Sequence, residues 1–436
     1  MKKYAVYTGL LIVLVTTTCA QSVLRVDGTK ISEDSLTRRI QQLKEAAGVS
    51  GLCIAIFNKN RLVYDKAFGL ADVPGNVPLK TSMVLYGASF SKAMFAYIVM
   101  RLVDQKVIDL DRPLVEYLPK SLMDYAFAGP GHNYQDLKDD ERYKKITARM
   151  CLDHTTGFPN WRFFEADHKL RIKYDPGTHY SYSGEGLCLL QFVIEQYTGM
   201  DLESIAQKNV FVPLGITHAS YVWQKDFDQN LVLGHNAGGK PYNIHKRSKP
   251  NAAGSLFTSF DDYLKFYTAL INGTGLSKSS FAEMLRPQIR IKAKQQFGPE
   301  ALQTTDENDN IALSYGLGVG LMTTPDGHAF FKEGHDDGWQ HYSVCFIDKE
   351  IAIVIMSNSD NTESIFKPLL ASCIGDTFTP WYWENYIPIG DQKAKPGFAF
   401  YCTPCNNDCD TIPHAYSGLC PVCRMPLVER LIQSRH

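Results

Sequence analysis

Apolar residues recur along the chain with two periods, one typical of helices and the other typical of strands. Across residues 32–47 they return every three or four positions, and Ser32 stands where it can cap the first turn, so a helix is predicted there. Residues 51–57 and 62–68 are two strand-like runs with a short polar interruption, which predicts a hairpin. This part of the chain therefore begins with a helix and a pair of antiparallel strands.

The following pattern adds one buried helix and a second hairpin. Residues 90–105 are apolar on most sides, which predicts a helix in the core. Residues 110–273 alternate short helical patterns with loops rich in Gly, Pro, His and Tyr. Residues 342–348 and 351–357 predict the hairpin, and residues 365–373 predict a closing helix. The sequence has no internal repeat, and 436 residues are enough for one large domain or two ordinary ones.

Composition is that of a globular protein. Of 436 residues, 44% are apolar and 21% are charged, and the formal net charge is −1. A nucleic-acid-binding face would need a cluster of basic residues, and none occurs, so no nucleic-acid partner is expected. Five cysteines stand in mostly apolar settings, where we interpret them as small buried hydrophobic residues. They are Cys53, Cys151, Cys188, Cys345 and Cys373.

The first twenty residues have the order of a secretory signal peptide. Two lysines precede an apolar run over residues 5–15, and small residues ending in Ala20 follow. The run is shorter than the roughly 20 residues that a membrane-spanning helix needs, and no later segment is long and apolar enough. Residues 1–20 are therefore predicted to be removed, leaving an exported protein that is periplasmic or secreted. Lipoprotein anchoring through Cys19 is the alternative.

Ser89 and Lys92 form a Ser-x-x-Lys pair at the start of the predicted helix 90–105. Residues three apart share one face of a helix, so the lysine amine can approach the serine hydroxyl. A serine becomes an effective nucleophile when a neighbouring base takes its proton, and burial lowers the pKa of a lysine towards that of such a base. The helix N-terminus also offers backbone N–H groups to an oxyanion. This pair is the predicted nucleophile and base of a serine hydrolase.

A second pair with the same spacing, Ser364 and Lys367, shows that spacing alone selects neither pair. The downstream residues make the choice. A loop that contains Tyr182 precedes an apolar helix, and a segment that contains Lys332 leads into the second hairpin. Only Ser89 has both segments after it.

In this order, the three segments resemble the motifs of the serine β-lactamase and penicillin-binding-protein superfamily. The nearest branch is that of class C β-lactamases, D-alanyl-D-alanine carboxypeptidases and family VIII esterases. The resemblance implies an α/β (α+β) fold over residues 30–378, in which an antiparallel sheet is flanked by helices and joined by a mostly helical subdomain. It implies no cofactor for catalysis. The resemblance extends from about residue 35 to residue 375 and includes residues 69–72, 106–111, 152–159, 213–217, 252–256 and 315–318.

The resemblance also implies a role for each motif residue. Ser89 would attack an acyl carbonyl to give an acyl-enzyme, while Lys92 and Tyr182 would share the proton transfers, with the main base left open between them. Lys332 would hold Tyr182 in its reactive state or meet a substrate carboxylate. The backbone N–H groups of Ser89 and His335 would form the oxyanion hole.

Two substrate-binding positions depart from the family pattern. Lactamases and peptidases of this family usually carry Asn two residues after the catalytic tyrosine, where it contacts the substrate amide, and here that residue is Gly184. Glu333 replaces the usual Thr or Ser between Lys332 and Gly334. Its charge would disfavour a substrate carboxylate, unless the side chain turns away or pairs with a cation. Both changes favour an ester or small-amide substrate over penicillin.

The C-terminal part is predicted to carry a small separate module. Residues 379–397, rich in Pro, Trp, Tyr and Gly, predict a linker, and residues 398–430 predict a zinc-ribbon-like segment. Two Cys-x-x-Cys knuckles there have nearly the spacing of a structural zinc site, and the second resembles heavy-metal-binding segments of bacterial envelope proteins. A pair of disulfides is the alternative. The candidate ligands are Cys402, Cys405, Cys420 and Cys423, with Cys409 and His414 as further candidates that could favour another metal.

These features predict an exported serine hydrolase that forms an acyl-enzyme on Ser89 with an ester, amide or peptidoglycan-like substrate. One alternative is a D-alanyl-D-alanine carboxypeptidase, a penicillin-binding protein or a class C-type β-lactamase. Another is a binding module that has the fold without catalysis and a tail that handles metal. The intact Ser89, Lys92, Tyr182 and Lys332 argue against the silent module.

Overall fold

The structure is a computed structural model of the chain. The predicted signal segment 1–20 lies outside the residues that it describes. Within the described part, no helix has the length and apolarity needed to cross a membrane. The described residues are 22–125, 133–298, 300–388, 390, 393–394, 396–402, 408–418, 420–422 and 427–432.

An antiparallel sheet, which has nine strands among the described residues, forms the centre of the molecule. The strands are β1 (Ser22–Leu24), β2 (Lys30–Ser32), β3 (Gly51–Asn58), β4 (Arg61–Asp72), β5 (Val77–Pro78), β6 (Val84–Tyr86), β7 (Ala219–Ser220), β8 (Phe257–Ser259), β9 (Ile289–Arg290), β10 (Ser314–Tyr315), β11 (Gly320–Thr324), β12 (Gly327–Asp336), β13 (Trp339–Phe346), β14 (Ile351–Ser357), β15 (Phe398–Cys402) and β16 (Leu427–Leu431). The order in the central sheet is β5-β4-β3-β14-β13-β12-β11-β10-β9. Both predicted hairpins are confirmed, as β3 with β4 and as β13 with β14.

Helices cover both faces of this sheet. They are α1 (Glu33–Ala46), α2 (Phe90–Asp104), α3 (Ala148–Leu152), α4 (Gly184–Thr198), α5 (Leu202–Ala206), α6 (Phe260–Asn272), α7 (Lys278–Met284) and α8 (Phe366–Cys373). Side chains alternate between the faces along β3: Ala55 and Phe57 pack in the cluster that contains α2, whereas Ile54 and Ile56 pack with α1 and α8. Because both faces are buried, these strands have nearly continuous apolar runs rather than alternating ones.

The predicted helices agree with the structure at both ends of the domain. The side chain of Ser32 accepts a hydrogen bond from the Ser35 N–H and so caps α1. Helix α2 is buried on nearly every side, which explains its lack of a polar face. The five scattered cysteines are buried, as predicted. The fold is thus the expected mixed class, with a large antiparallel sheet flanked by helices.

The interval 379–397 differs from its predicted role as a linker. Trp381, Trp383 and Tyr386 are buried against the sheet face that carries α1 and α8, and the backbone N–H of Gln296 donates to the Trp383 carbonyl at 2.8 Å. The first part of this interval therefore packs as part of the domain built on the central sheet. The aromatic residues contributed to the linker-like composition of this interval. In the structure, the same residues provide the apolar surface by which the interval packs on the sheet.

Candidate active site

Ser89 lies at a sharp turn immediately before α2. Ala88, the preceding residue, has a φ of 43°, a left-handed conformation that costs a non-glycine residue about 1–2 kcal/mol. The turn is held from outside, because the Gly87 N–H donates to the Leu256 carbonyl at 2.7 Å. A strained backbone conformation persists where the surrounding structure holds it in place. Here the strained turn places Ser89 at the N-terminal end of α2.

Lys92 lies one turn into α2 with its amine directed at the serine. Its Nζ is 2.9 Å from Ser89 Oγ and donates to the Ala253 carbonyl at 2.6 Å. The side chain is 2% exposed, and burial, followed by the positive charge of Lys332, lowers its pKa to about 7. A substantial fraction of Lys92 is therefore neutral near pH 7, which is the state that accepts a proton.

Tyr182 reaches the same place from the loop before α4. Its hydroxyl accepts a hydrogen bond from Lys332 Nζ at 3.2 Å, and its ring packs on that of His154 with centroids 4.4 Å apart. Burial, and then the charge of Glu333, raises the pKa of Tyr182 well above its usual value, while a hydrogen bond to the Ser89 side chain acts in the opposite direction. The phenol is therefore protonated at neutral pH.

Lys332 and Glu333 form a buried ion pair on β12. Lys332 Nζ lies 2.5 Å from Glu333 Oε1, and each side chain is 2% exposed. Of the two orientations considered for Glu333, the structure has the one in which it pairs with a cation. Burial lowers the pKa of Lys332, whereas Glu333 opposes that shift. The pair neutralises the charge that a substrate carboxylate would otherwise meet.

Gly184, the first residue of α4, lies beneath the indole ring of Trp161. A Cβ built on Gly184 would come within 2.7 Å of Trp161 Cη2, closer than any real contact allows. The glycine is thus required by the ring above it, and the ring occupies the volume in which an asparagine side chain would lie. The indole is also 5.8 Å from Lys92 Nζ, measured to its centroid.

The predicted oxyanion-hole strand runs beside the serine turn. A Cβ built on Gly334 would lie at an ordinary contact distance, 3.4 Å, from the Gly87 carbonyl oxygen, so β12 passes directly beside the turn. His335 follows, and its ring is exposed and makes a 2.6 Å hydrogen bond with Glu363. That bond raises the pKa of His335. Lys92, Tyr182 and, through Tyr182, Lys332 therefore converge on Ser89.

The alternative pair, Ser364 and Lys367, does not resemble this arrangement. Ser364 Oγ donates to the Asn361 carbonyl at 2.6 Å, and Lys367 is exposed on α8. Lys367 is therefore not enclosed beside its serine in the way that Lys92 is.

The cysteine-rich tail brings together three of the candidate thiols. Cys402, Cys409 and Cys420 are buried, with sulfur atoms all within 4.8 Å of one another. Cys405 and Cys423 lie outside the described residues. His414 lies on a segment that pairs with β15 through Phe400, and its Nε2 is buried with no partner among the described residues. The cluster thus includes Cys409, which was only an additional candidate.

Three residues near the serine had no functional role predicted from the sequence, although two of them lie in the resembling segments 152–159 and 252–256. Ala253 orients Lys92 through its backbone carbonyl, and Trp161 covers Gly184. His154 has a φ of 60°, is 1% exposed and accepts the Ser183 N–H at Nδ1. It therefore fixes the backbone that carries Tyr182. Each of these contacts joins segments that are distant in sequence, so no local pattern indicates them.

The comparisons with known proteins identify the class and then the family. The fold and the arrangement of Ser89, Lys92 and Tyr182 are those of a serine hydrolase. The model of the beta-lactamase family matches residues 36–370, so the chain belongs to the beta-lactamase family and is a hydrolase.

Relatives in this family differ in their substrates. Penicillin-binding protein 4* of Bacillus subtilis (strain 168) is 24% identical over 371 residues, which covers 78% of this chain and 75% of that protein. Lovastatin esterase of Penicillium rubens is 26% identical over 321 residues, covering 63% and 79%. Esterase EstB of Burkholderia gladioli is 24% identical over 341 residues, covering 70% and 81%.

Solved structures share the fold. A β-lactamase/D-alanine carboxypeptidase from Pseudomonas syringae superposes with a TM-score of 0.60 at 17% identity, covering 78% of this chain and 98% of that one. The octameric penicillin-binding protein homologue from Pyrococcus abyssi gives 0.59 at 18% identity, covering 76% and 74%.

Proposed function

We propose that the protein hydrolyses an ester or small amide through an acyl-enzyme on Ser89. The observation that carries this proposal is the 2.9 Å contact between Ser89 Oγ and the amine of Lys92, whose pKa is lowered to about 7. A nucleophile and a base at hydrogen-bond distance, with the base neutral at working pH, are what acyl transfer requires.

The proton transfers follow from the protonation states. Neutral Lys92 takes the hydroxyl proton as Ser89 Oγ bonds to the acyl carbon, and Tyr182, which is protonated, passes a proton to the leaving group and regains one through the hydrogen-bonded groups around it. The proton taken by Lys92 in this step passes on, so that the amine is neutral again. A water molecule then attacks the acyl carbon and gives a proton to Lys92, the bond between Ser89 Oγ and the acyl carbon breaks, and Lys92 returns the proton to Ser89 Oγ as the acid is released. We infer that Lys92, rather than Tyr182, is the main base in the first step.

The oxyanion is expected to lie between the N–H groups of Ser89 and His335. The turn at Ala88 places Ser89 at the helix end, and β12 passes this turn with Gly334 beside the Gly87 carbonyl. Two fixed backbone donors of this kind stabilise the charge that develops on the carbonyl oxygen.

Two features favour an ester or amide without a carboxylate over penicillin. Glu333 pairs with Lys332, the cation that would bind the carboxylate, and Trp161 fills the space of the absent asparagine. Two of the relatives above are named esterases, which is consistent with this substrate class. The competing proposal is a peptidase or another penicillin-recognising enzyme. A periplasmic or secreted location is compatible with both proposals.

The test combines two probes with one control variant. The protein is incubated with a short-chain aryl ester and, separately, with fluorescent penicillin. We expect ester turnover with little penicillin labelling, abolished in Ser89→Ala and kept in Ser364→Ala, which removes the serine of the other pair. Stable penicillin labelling would favour the peptidase, and ester turnover that survives Ser89→Ala would overturn the mechanism. Absence of turnover and of fluorophosphonate labelling at Ser89 would support the silent binding module.

We further propose that the tail binds a structural metal such as zinc. The convergence of Cys402, Cys409 and Cys420 supports this, since thiolates at this separation can share one tetrahedral ion. The metal would stabilise a segment too small to fold on its own core and would take no part in acyl transfer. The purified chain should contain one zinc per molecule, and Cys409→Ser should reduce that content. Two disulfides, seen as a mass loss without metal, would contradict the proposal.

A further inference from the structure

Three aromatic side chains run in a row from the catalytic lysine to the protein surface. The indole of Trp161 lies 5.8 Å from Lys92 Nζ, and Phe163 stacks on Trp161 with centroids 5.7 Å apart and planes at 12°. Phe164 meets Phe163 edge to face at 4.6 Å. Phe163 is 55% exposed and Phe164 is 70% exposed. We call Trp161, Phe163 and Phe164 the aromatic ladder.

A buried ion pair holds the ladder in place. Arg162, which lies within the same helical turn (Arg162–Phe164), is 8% exposed and donates from Nε and Nη2 to the two carboxylate oxygens of Glu185 at 2.9 and 2.7 Å. The Arg162 N–H donates to Glu185 as well, at 2.9 Å. Glu185 lies in the first turn of α4, so the ladder is fixed to the helix that follows Tyr182.

The neighbouring loop residues strengthen this attachment. The Asn160 carbonyl accepts the N–H groups of Gly184 and Glu185 at 3.0 and 3.1 Å, and Ser183 Oγ donates to the Pro159 carbonyl at 2.9 Å. Two exposed phenylalanines on such a rigid support lose little conformational entropy when they bind a ligand. Exposed apolar side chains scattered singly need no explanation, but a contiguous row that reaches a catalytic group indicates a binding surface.

We propose that the aromatic ladder binds a bulky apolar acyl group, such as a long alkyl or aromatic acyl chain, in the substrate of Ser89. This inference rests on the proposed function and specifies its substrate. The acyl group stays joined to Ser89 Oγ through the intermediate, so it is the part of the substrate that a fixed wall beside Lys92 can hold during both steps. Aromatic faces bind both alkyl chains and rings, and the apolar ladder supplies no charge for a polar acyl group.

The test varies the acyl chain while the leaving group stays constant. We expect kcat/KM for 4-nitrophenyl octanoate and 4-nitrophenyl phenylacetate to exceed that for the acetate. In Phe163→Ser/Phe164→Ser this preference should fall roughly tenfold or more, while kcat/KM for the acetate changes little, since the small acyl group does not reach the outer rings. Phe163→Leu/Phe164→Leu should retain most of the octanoate preference, because it keeps the apolar surface.

The control removes an equally exposed apolar side chain elsewhere. Val212, which is 72% exposed on the surface, is replaced in Val212→Ser, and the preference should be unchanged. An octanoate-to-acetate ratio that is the same in the double serine variant and the wild type would overturn the inference while leaving Ser89 chemistry intact. Acetate turnover that persists in Ser89→Ala would instead refute the proposed function, so the two failures are distinguishable.

Discussion

The amine of Lys332 lies 2.5 Å from Oε1 of Glu333, and both side chains are almost fully buried. Removing one partner of a buried ion pair strongly destabilises a protein, because the remaining charge is buried without compensation. The cation that donates to the Tyr182 hydroxyl is therefore already engaged within the protein. This relationship links the unusual residue in the third motif to the choice of substrate.

Glu333→Thr should make the site more receptive to penicillin. Releasing Lys332 allows it to bind a substrate carboxylate, a charged hydrogen bond worth about 1.5–3 kcal/mol, so the rate of labelling by fluorescent penicillin should rise about tenfold or more. Thermal unfolding should show a loss of stability, because the pair is broken. The control is Glu363→Gln, which removes a carboxylate that bonds to His335 and not to Lys332; it should leave the labelling rate unchanged. A folded Glu333→Thr that is labelled at the wild-type rate would refute this role of the pair.

The acylation rate should rise with pH through an apparent pKa of about 7. Below that value Lys92 carries a proton and cannot accept another, so kcat/KM for an uncharged ester should fall about tenfold per pH unit. Lys92→Arg should be inactive, because the guanidinium stays charged. Lys332→Met removes a positive charge that lowers the pKa of Lys92, so the acid limb should move to higher pH. A profile that is flat from about pH 5 to 8 would contradict Lys92 as the base.

Gly184→Asn and Trp161→Ala should have non-additive effects on the free energy of unfolding. Asparagine at position 184 must displace the indole, and such overpacking costs about 1–3 kcal/mol. Truncating the ring makes room for the new side chain, so the double variant should lose less free energy of unfolding than the two single variants together. Urea unfolding of all four proteins measures the coupling. Strict additivity would show that the two residues do not compete for the same volume.

The Arg162–Glu185 pair should stabilise the domain more than any surface pair. Glu185→Gln leaves the guanidinium buried against a neutral group and should lower the free energy of unfolding by about 3–5 kcal/mol. Glu116→Gln breaks the exposed pair between Arg112 and Glu116 and should cost about 1 kcal/mol or less. Equal losses in the two variants, measured by denaturant unfolding, would mean that the buried pair is not the anchor of the ladder.

Much of the fold could be predicted because its signals are local. The cap at Ser32, the two hairpins and the apolar helix after Ser89 each lie within one short segment, and period alone identifies them. The choice of Ser89 over Ser364 required the order of distant motifs. The structure gives the same preference from burial, since Lys92 is enclosed and Lys367 is not.

The features that determine substrate choice could not be predicted in the same way. Trp161 and Gly184 meet across a loop, and the sequence gives no sign that the glycine is required by a ring. The composition of the interval 379–397 indicated a linker, whereas its first part is docked by Trp381 and Trp383. Whether an aromatic residue is exposed or buried depends on the surface available to it, which is a property of the tertiary structure.

Covalent trapping tests the central claim most directly. The protein is mixed with a slowly deacylating aryl ester, quenched in acid at early times and digested, and the peptides are measured by mass spectrometry. We expect an added acyl mass on the peptide that contains Ser89. This mass should form in the wild type and in Ser364→Ala, and it should be absent from Ser89→Ala. Ester turnover with no acyl mass on that peptide, or with the mass on another residue, would contradict it.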